Sequence, residues 1–325
     1  MGERSLALHN LGAVRLGDMK EVSHKDFWII EGALAKQGTT YVYGMSKMGK
    51  SFFVSQVISA ALKGTDLLNL PTYEKVDSVL ILTTDAGSDL EYKMRLDALG
   101  TDPERVYIRK LDTAASEVPW EDIAGDANTF GFGLVVVDHA TALVEGEINY
   151  REGWARLYEH LARFNAPTVL VGHSTDSRQE GKQIKRPAGN AAATQFARAR
   201  VFLNAPGGLV QSPKRVLEFQ ANNAEVEPIH CVKDKHGFLV VDSEASKEST
   251  KKRQRSEQAK DLNALVRDLA TKAPRGLNKS EAARYVREQL LDVHGIERKE
   301  SYIREKLRRS DSLAWNEEAG GWEAV

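Results

Sequence analysis

The chain has one cysteine, Cys231, among 325 residues. An intramolecular disulfide framework is therefore excluded, and the composition fits a reducing compartment. No run of about 18 apolar residues occurs, so nothing reads as a membrane-spanning helix. Charge of one sign is missing too: 45 Lys+Arg against 46 Asp+Glu leave a net charge of −1. No global basicity advertises nucleic acid, and any such binding must come from local patches. The start Met1-Gly2-Glu3-Arg4 lacks the apolar core of a signal peptide, which sets a cytoplasmic expectation. What remains is an ordinary globular composition, long enough for one large domain and a smaller one.

Residues 44–51 carry the strongest signal. Gly44-Met45-Ser46-Lys47-Met48-Gly49-Lys50-Ser51 reads G-x-x-x-x-G-K-S, the Walker A phosphate loop. Its glycines let backbone N–H groups turn inward and cradle phosphate oxygens. Lys50 places a point charge on the β- and γ-phosphates of ATP, and Ser51 offers a hydroxyl to Mg²⁺. The nucleotide-binding set is residues 44–51 plus Phe52. The loop needs a strand before it and a helix after it. Thr39 to Tyr43 is β-branched and aromatic, a buried strand, and 51–62 has apolar residues at helical spacing up to Lys63-Gly64. That helix aims its N-terminal dipole at the phosphates.

Further strands end in polar groups. Val79 to Asp85 is apolar and closes on a carboxylate, placed to orient or deprotonate an attacking water. Asp85 reads equally as the N-cap of the helix at 89–99. Gly133 to His139 has the Walker B pattern, with Asp138 holding Mg²⁺ through Ser51 or water. His139 reads as structural. Pro167 to Ser174 ends on His173, either a γ-phosphate sensor or a hydrogen-bonded strand end. Trp28 is an aromatic over the adenine or an edge of the core.

Residues 175–190 are polar and basic, with Arg178, Lys182, Lys185 and Arg186 as candidates for a phosphodiester backbone. The bland alternative is a solvated surface loop. A small-residue helix is expected at 191–200, then antiparallel strands near 200–203, 215–219, 228–232 and 238–241.

The spacing predicts a domain over 1–245, with an arm at about 1–25, a basic linker at 246–257, and a small domain at 258–325. The last has helices at 259–271, 278–291 and 300–309, then a hairpin, the pattern of a winged helix. From 251 to 325, 17 Lys+Arg against 13 Asp+Glu give +4, mild support for DNA contact through Arg304 and Arg308. Protein binding by such a domain stays open.

The motif order resembles the RecA-like ATPases, and within them the RepA-type plasmid and phage replicative helicases. Phe27-Trp28-Ile29-Ile30-Glu31-Gly32 resembles that family's lead-in, Glu147-Ile148-Asn149 its acidic loop, and His173-Ser174 its strand end. The resemblance implies an α/β fold: a mostly parallel sheet flanked by helices, with antiparallel closing strands. It also implies a ring of identical subunits, a hexamer favoured, with ATP between subunits. Loops 145–150 and 175–190 would face DNA in a central channel. Two positions depart from the family. Asp85 stands where Glu is usual, and Gln220-Ala221-Asn222 lacks the usual Lys that reaches a neighbour's ATP. Arg198, Arg200 or Arg215 would have to supply that cation.

Two readings follow: a DNA-dependent, helicase-like ATPase motor in replication or recombination, or an ATP-controlled loader, mediator or regulator with slow hydrolysis. An associated nuclease finds no separate metal-carboxylate cluster in the sequence.

Overall fold

The computed structural model describes residues 14–174, 178–179, 182–183, 187–189 and 191–324, without the side chains of 178–179, 182–183 and 252–259. The chain forms two units, Met1–Ser246 and Lys247–Val325.

In the first unit, β1 (Trp28–Ile30) and β2 (Leu34–Ala35) make a small antiparallel pair. β3 (Thr39–Gly44) enters the glycine-rich loop and α1 (Lys50–Lys63) leaves it. There follow β4 (Val79–Thr83), α2 (Ser88–Ala98), β5 (Val106–Lys110), α3 (Trp120–Phe130), β6 (Leu134–Asp138), α4 (Arg151–Leu161) and β7 (Thr168–His173). Then come β8 (Arg178–Gln179), β9 (Lys182–Gln183), α5 (Ala192–Gln195), β10 (Ala199–Asn204), β11 (Lys214–Ala221), β12 (Ile229–Lys233) and β13 (Leu239–Val241).

Nine of these strands form one sheet in the order β13-β12-β11-β10-β3-β7-β6-β4-β5. From β10 to β5 every pair is parallel, and β11, β12 and β13 close the sheet antiparallel. This is the mostly parallel sheet, flanked by helices and closed by antiparallel strands, that the resemblance implied. Helices cover both faces, so the central strands are apolar on both sides. Leu134 and Val136 pack with Phe53, Ile58, Tyr92 and Leu96 from α1 and α2. Val135 and Val137 face the other way, onto Trp120 and Ile123 of α3 and Trp154 and Leu157 of α4. α1 stops at Gly64, whose φ of 67° suits glycine and whose N–H donates to Ala60 O at 2.7 Å.

Two expected elements are redrawn. The helix expected at 191–200 is only Ala192–Gln195, because Ala199–Phe202 pairs in parallel with Thr40–Tyr43. Residues 246–257, expected as a linker, are helical: α6 runs Ser243–Thr271. Asp242 starts it, its carboxylate accepting from Ala245 N at 3.1 Å. Glu, Lys, Arg, Gln and Ala then sustain it, with no Gly or Pro before Pro274.

In the second unit, α6 is followed by α7 (Lys279–His294), α8 (Glu300–Arg308) and an antiparallel hairpin of β14 (Leu313–Asn316) and β15 (Gly321–Ala324). Asn278 and Glu281 form a capping box at the start of α7. Val266, Leu269, Val286, Leu290, Ile303, Leu307 and Leu313 make this unit's own core. Gly276 N donates to Ala319 O at 3.1 Å, tying the α6–α7 connection to the hairpin turn.

Candidate nucleotide site

Ligands of open α/β sheets bind outside the carboxyl ends of the parallel strands. Here those ends carry Gly44, Thr83, Asp138 and His173, from the adjacent strands β3, β4, β6 and β7. Residues 45–49 form the turn between β3 and α1, and Ser46 and Lys47 are exposed. Gly49 has φ of 100° and precedes the helix, a conformation that favours glycine. Gly44 is needed for another reason. A Cβ there would lie 2.3 Å from the carbonyl oxygen of Leu203 on β10. Met48 is fully buried and anchors the loop in the core.

Lys50 folds back over the loop. Its Nζ lies 3.1 Å from Gly44 O, 3.0 Å from Met45 O and 3.3 Å from His173 Nδ1. Burial pulls its pKa down to about 8, with Asp138 opposing the shift. Burial, then the charges of Lys50 and His139, lower His173 to about 4, so its imidazole is neutral at pH 7. Its Nδ1 then accepts from the ammonium.

Ser51 Oγ donates to Asp138 Oδ2 at 2.8 Å. These are hard oxygen donors in contact, a set that fits Mg²⁺. Asp138 Oδ2 also accepts from Tyr92 Oη at 2.8 Å. Tyr92 is fully buried on α2, and burial raises its pKa well above the usual phenol value, so it stays a donor. Asp85 is exposed beyond β4, its Oδ1 3.3 Å from His139 Nδ1. It does not cap α2, whose N-cap is Gly87 with no side-chain bond. The His139 and His173 rings meet edge-on at 5.1 Å.

Phe52 is half-buried, edge-on to Phe238 at 5.5 Å, with the Arg95 guanidinium 4.6 Å from its ring centre. Trp28 is not over the site. Its side chain packs with Ala35 and Ala199 and is 2 % exposed, so it belongs to the core.

The cations considered for a neighbour's phosphates sort clearly. Arg215 is 1 % exposed and donates to the carbonyls of Met48, Val210, Ser212 and Lys214. It braces the loop from inside and cannot reach a second subunit. Arg198, just before β10, is exposed, and Arg200, on β10, is half-buried.

Of the basic loop, Lys185 and Arg186 lie outside the described residues, as do the side chains of Arg178 and Lys182. The backbone of the last two forms the short antiparallel pair β8–β9. The loop's return is described: Ala188 N donates to His173 O at 2.7 Å, and Gly189 lies against the carbonyl of Ile148. Segments 145–150 and 187–189 thus meet beside His173. In the second unit, Arg304 is paired with Glu300, whereas Arg308 is exposed with no carboxylate partner among the described residues.

Sequence reasoning missed Tyr92 as an Asp138 partner and Arg215 as a loop brace. A tyrosine one helical turn into α2 was the available signal for the first; nothing local signals the second. Among the described residues, no group of three or more His, Cys, Asp or Glu side chains is arranged to hold a metal. No helix among them is long and apolar enough to cross a membrane.

Comparison with known proteins adds a family. Residues 5–179, more than half of the chain, match the family described as AAA domain. No curated protein matches the sequence. Among solved structures, the crystal structure of the RadB recombinase is similar at 19 % identity, covering 63 % of this chain and 90 % of that one, with a TM-score of 0.43.

Proposed function

The chain belongs to the AAA domain family of P-loop ATPases, and from that premise we propose that it is an ATP-hydrolysing, helicase-like DNA motor of the RepA type, working in replication or recombination. One observation carries the proposal: Lys50, Ser51, Asp138 and His173 converge at the carboxyl ends of three adjacent parallel strands.

Each residue has a task in this reading. Amides of 44–52 cradle the phosphates, and Lys50 leaves the Gly44 and Met45 carbonyls to neutralise the β- and γ-oxygens. Ser51 and Asp138 would hold Mg²⁺, which when bound neutralises charge on the transferring phosphoryl. Asp85 orients the attacking water. Neutral His173 reports the γ-phosphate, and its backbone bond to Ala188 passes that state to the loop at 175–190. Arg178, Lys182, Lys185 and Arg186 would grip the DNA backbone there. Arg304 and Arg308 would do so from a winged-helix-like second unit. Assembly into a ring is supported by the exposed apolar side chains of Val14, Leu16, Met19 and Val22 in the N-terminal arm.

An ATPase assay with and without DNA is the test. A rate indifferent to every DNA form removes the motor reading, and normal turnover in Lys50→Ala refutes the phosphate-loop assignment. A second reading, a loader or mediator with slow hydrolysis, is favoured by Asp85. Its carboxylate is short by one methylene and already engaged by His139. Nucleotide-dependent oligomerisation with little turnover would select it.

A further inference from the structure

The closing strands return a lysine to the phosphate loop. β11 runs antiparallel to β10, and β12 antiparallel to β11, so β12 points the same way as β3. Its last residue, Lys233, therefore emerges at the same sheet edge as Gly44 and the loop. A methyl group placed on Gly49 would lie 3.3 Å from Lys233 Cε and 3.7 Å from its Nζ. The side chain thus lies along the loop itself.

The hairpin that carries it is fixed in place. Gln56 of α1 exchanges two hydrogen bonds with the Leu239 backbone, at 2.9 and 3.0 Å. Phe52 packs edge-on against Phe238, and a Cβ on Gly237 would lie 2.9 Å from the Phe52 ring. Asp234 Oδ1 accepts from the amides of His236 and Phe238, at 2.8 and 2.9 Å, which shapes the turn. Gly49, Phe52 and Gln56 share one face of the helix. The hairpin lies along that face, with Lys233 at its phosphate end.

The electrostatics are unbalanced. Lys233 is half-buried and has no carboxylate partner among the described residues. Its charged neighbour is Arg215, another cation, and burial and that charge both lower its pKa. Arg215 spends its donors on carbonyls, so the three donors of Lys233 are the uncommitted ones. Two cations held together without an anion leave a positive site that a polyanion would relieve.

We propose that Lys233 is a second phosphate-binding lysine, supplied in cis, which grips the α- and β-phosphates of a nucleoside di- or triphosphate. The assignment rests on the nucleotide-site reading given above. It follows from the side of approach. In the sheet order, Asp138 and His173 reach the loop from the β6 and β7 side, and Lys233 from the β12 side. The γ-phosphate belongs to the first flank, so the second flank faces the inner phosphates.

The test compares full-length wild type, Lys233→Met and Lys233→Arg for binding of Mg-ATP, Mg-ADP and AMP by calorimetry. Methionine keeps the packed stem and removes the charge. A lost charge-assisted contact should weaken ATP and ADP alike, by about tenfold or more, and AMP less. Arginine should restore most of the loss. The nucleotide-free melting temperature of Lys233→Met should be unchanged or higher, since a crowded cation is removed. Unchanged ADP affinity in Lys233→Met, or a loss confined to ATP, overturns the assignment of Lys233 alone. A wild type that binds no nucleotide overturns the site itself.

Discussion

The hydroxyl of Tyr92 donates to Oδ2 of Asp138 at 2.8 Å, the same oxygen that accepts from Ser51. Three elements, α1, α2 and β6, thus meet at one carboxylate oxygen. In the proposed site the phenol would hold the carboxylate in the orientation a metal ion needs, as partners of ligand carboxylates generally do. Tyr92→Phe should leave the fold intact, because the ring still fills its place in the core. The Mg²⁺ concentration for half-maximal ATPase should rise about tenfold, in line with losses of such partners. A Mg²⁺ titration of turnover checks this, and an unchanged midpoint would show that Ser51 alone suffices to set Asp138.

Asp85 is engaged by His139 at 3.3 Å and sits exposed at the strand tip. In the proposed site, lengthening it by one methylene would carry the carboxylate closer to the water that attacks the γ-phosphate. Asp85→Glu should raise kcat with little change in KM. Asp85→Asn should lower kcat by about 10²-fold or more, the usual contribution of a positioned base. Steady-state ATPase kinetics on both variants decide this. Equal rates in wild type and Asp85→Asn would remove Asp85 from the reaction.

Nearly all of the phosphate-loop geometry was legible because it is local. A β-branched run, two glycines, a lysine and an amphipathic helix occupy consecutive positions, and the acids end continuous apolar strands. What escaped depends on distant backbone. Gly44 looks like a phosphate-loop glycine, yet its missing Cβ makes room for the Leu203 carbonyl. Lys233 reaches Gly49 only through two reversals of the sheet. Arg215 has the look of a free cation until its carbonyl partners are seen. The polar stretch at 246–257 lacks apolar periodicity, so its helical propensity and the Asp242 cap were outweighed by its composition.

The depressed pKa of His173 has a consequence for stability. The imidazole has its ordinary value of 6.5 in the unfolded chain and about 4 in the fold. Between those values the unfolded state binds more protons, so stability rises with pH across that window. The melting temperature should therefore climb from pH 4.5 to 7. In His173→Gln, which cannot titrate, the climb should be shallower. His160, also lowered by burial, contributes to both proteins and cancels in the comparison. Parallel melting curves against pH would mean that His173 is protonated at its ordinary pKa beside Lys50.

A DNA role for the second unit, as proposed above, would rest on the charges of α8. Arg304 is held by Glu300, which Arg284 also approaches at 3.8 Å, and Arg309 pairs with Glu305. Arg308 carries no such partner among the described residues, so its charge costs least to place on a phosphate. If this helix faces the DNA backbone, Arg308→Ala should weaken binding to every sequence about equally and lower the salt slope by about one. Glu300→Gln acts in the opposite direction. It removes a negative charge and releases Arg304, so affinity should rise and the salt slope should steepen. Both variants are read by DNA binding at three or more salt concentrations. A pair of unchanged slopes would place the DNA surface elsewhere and leave α8 free for a protein partner.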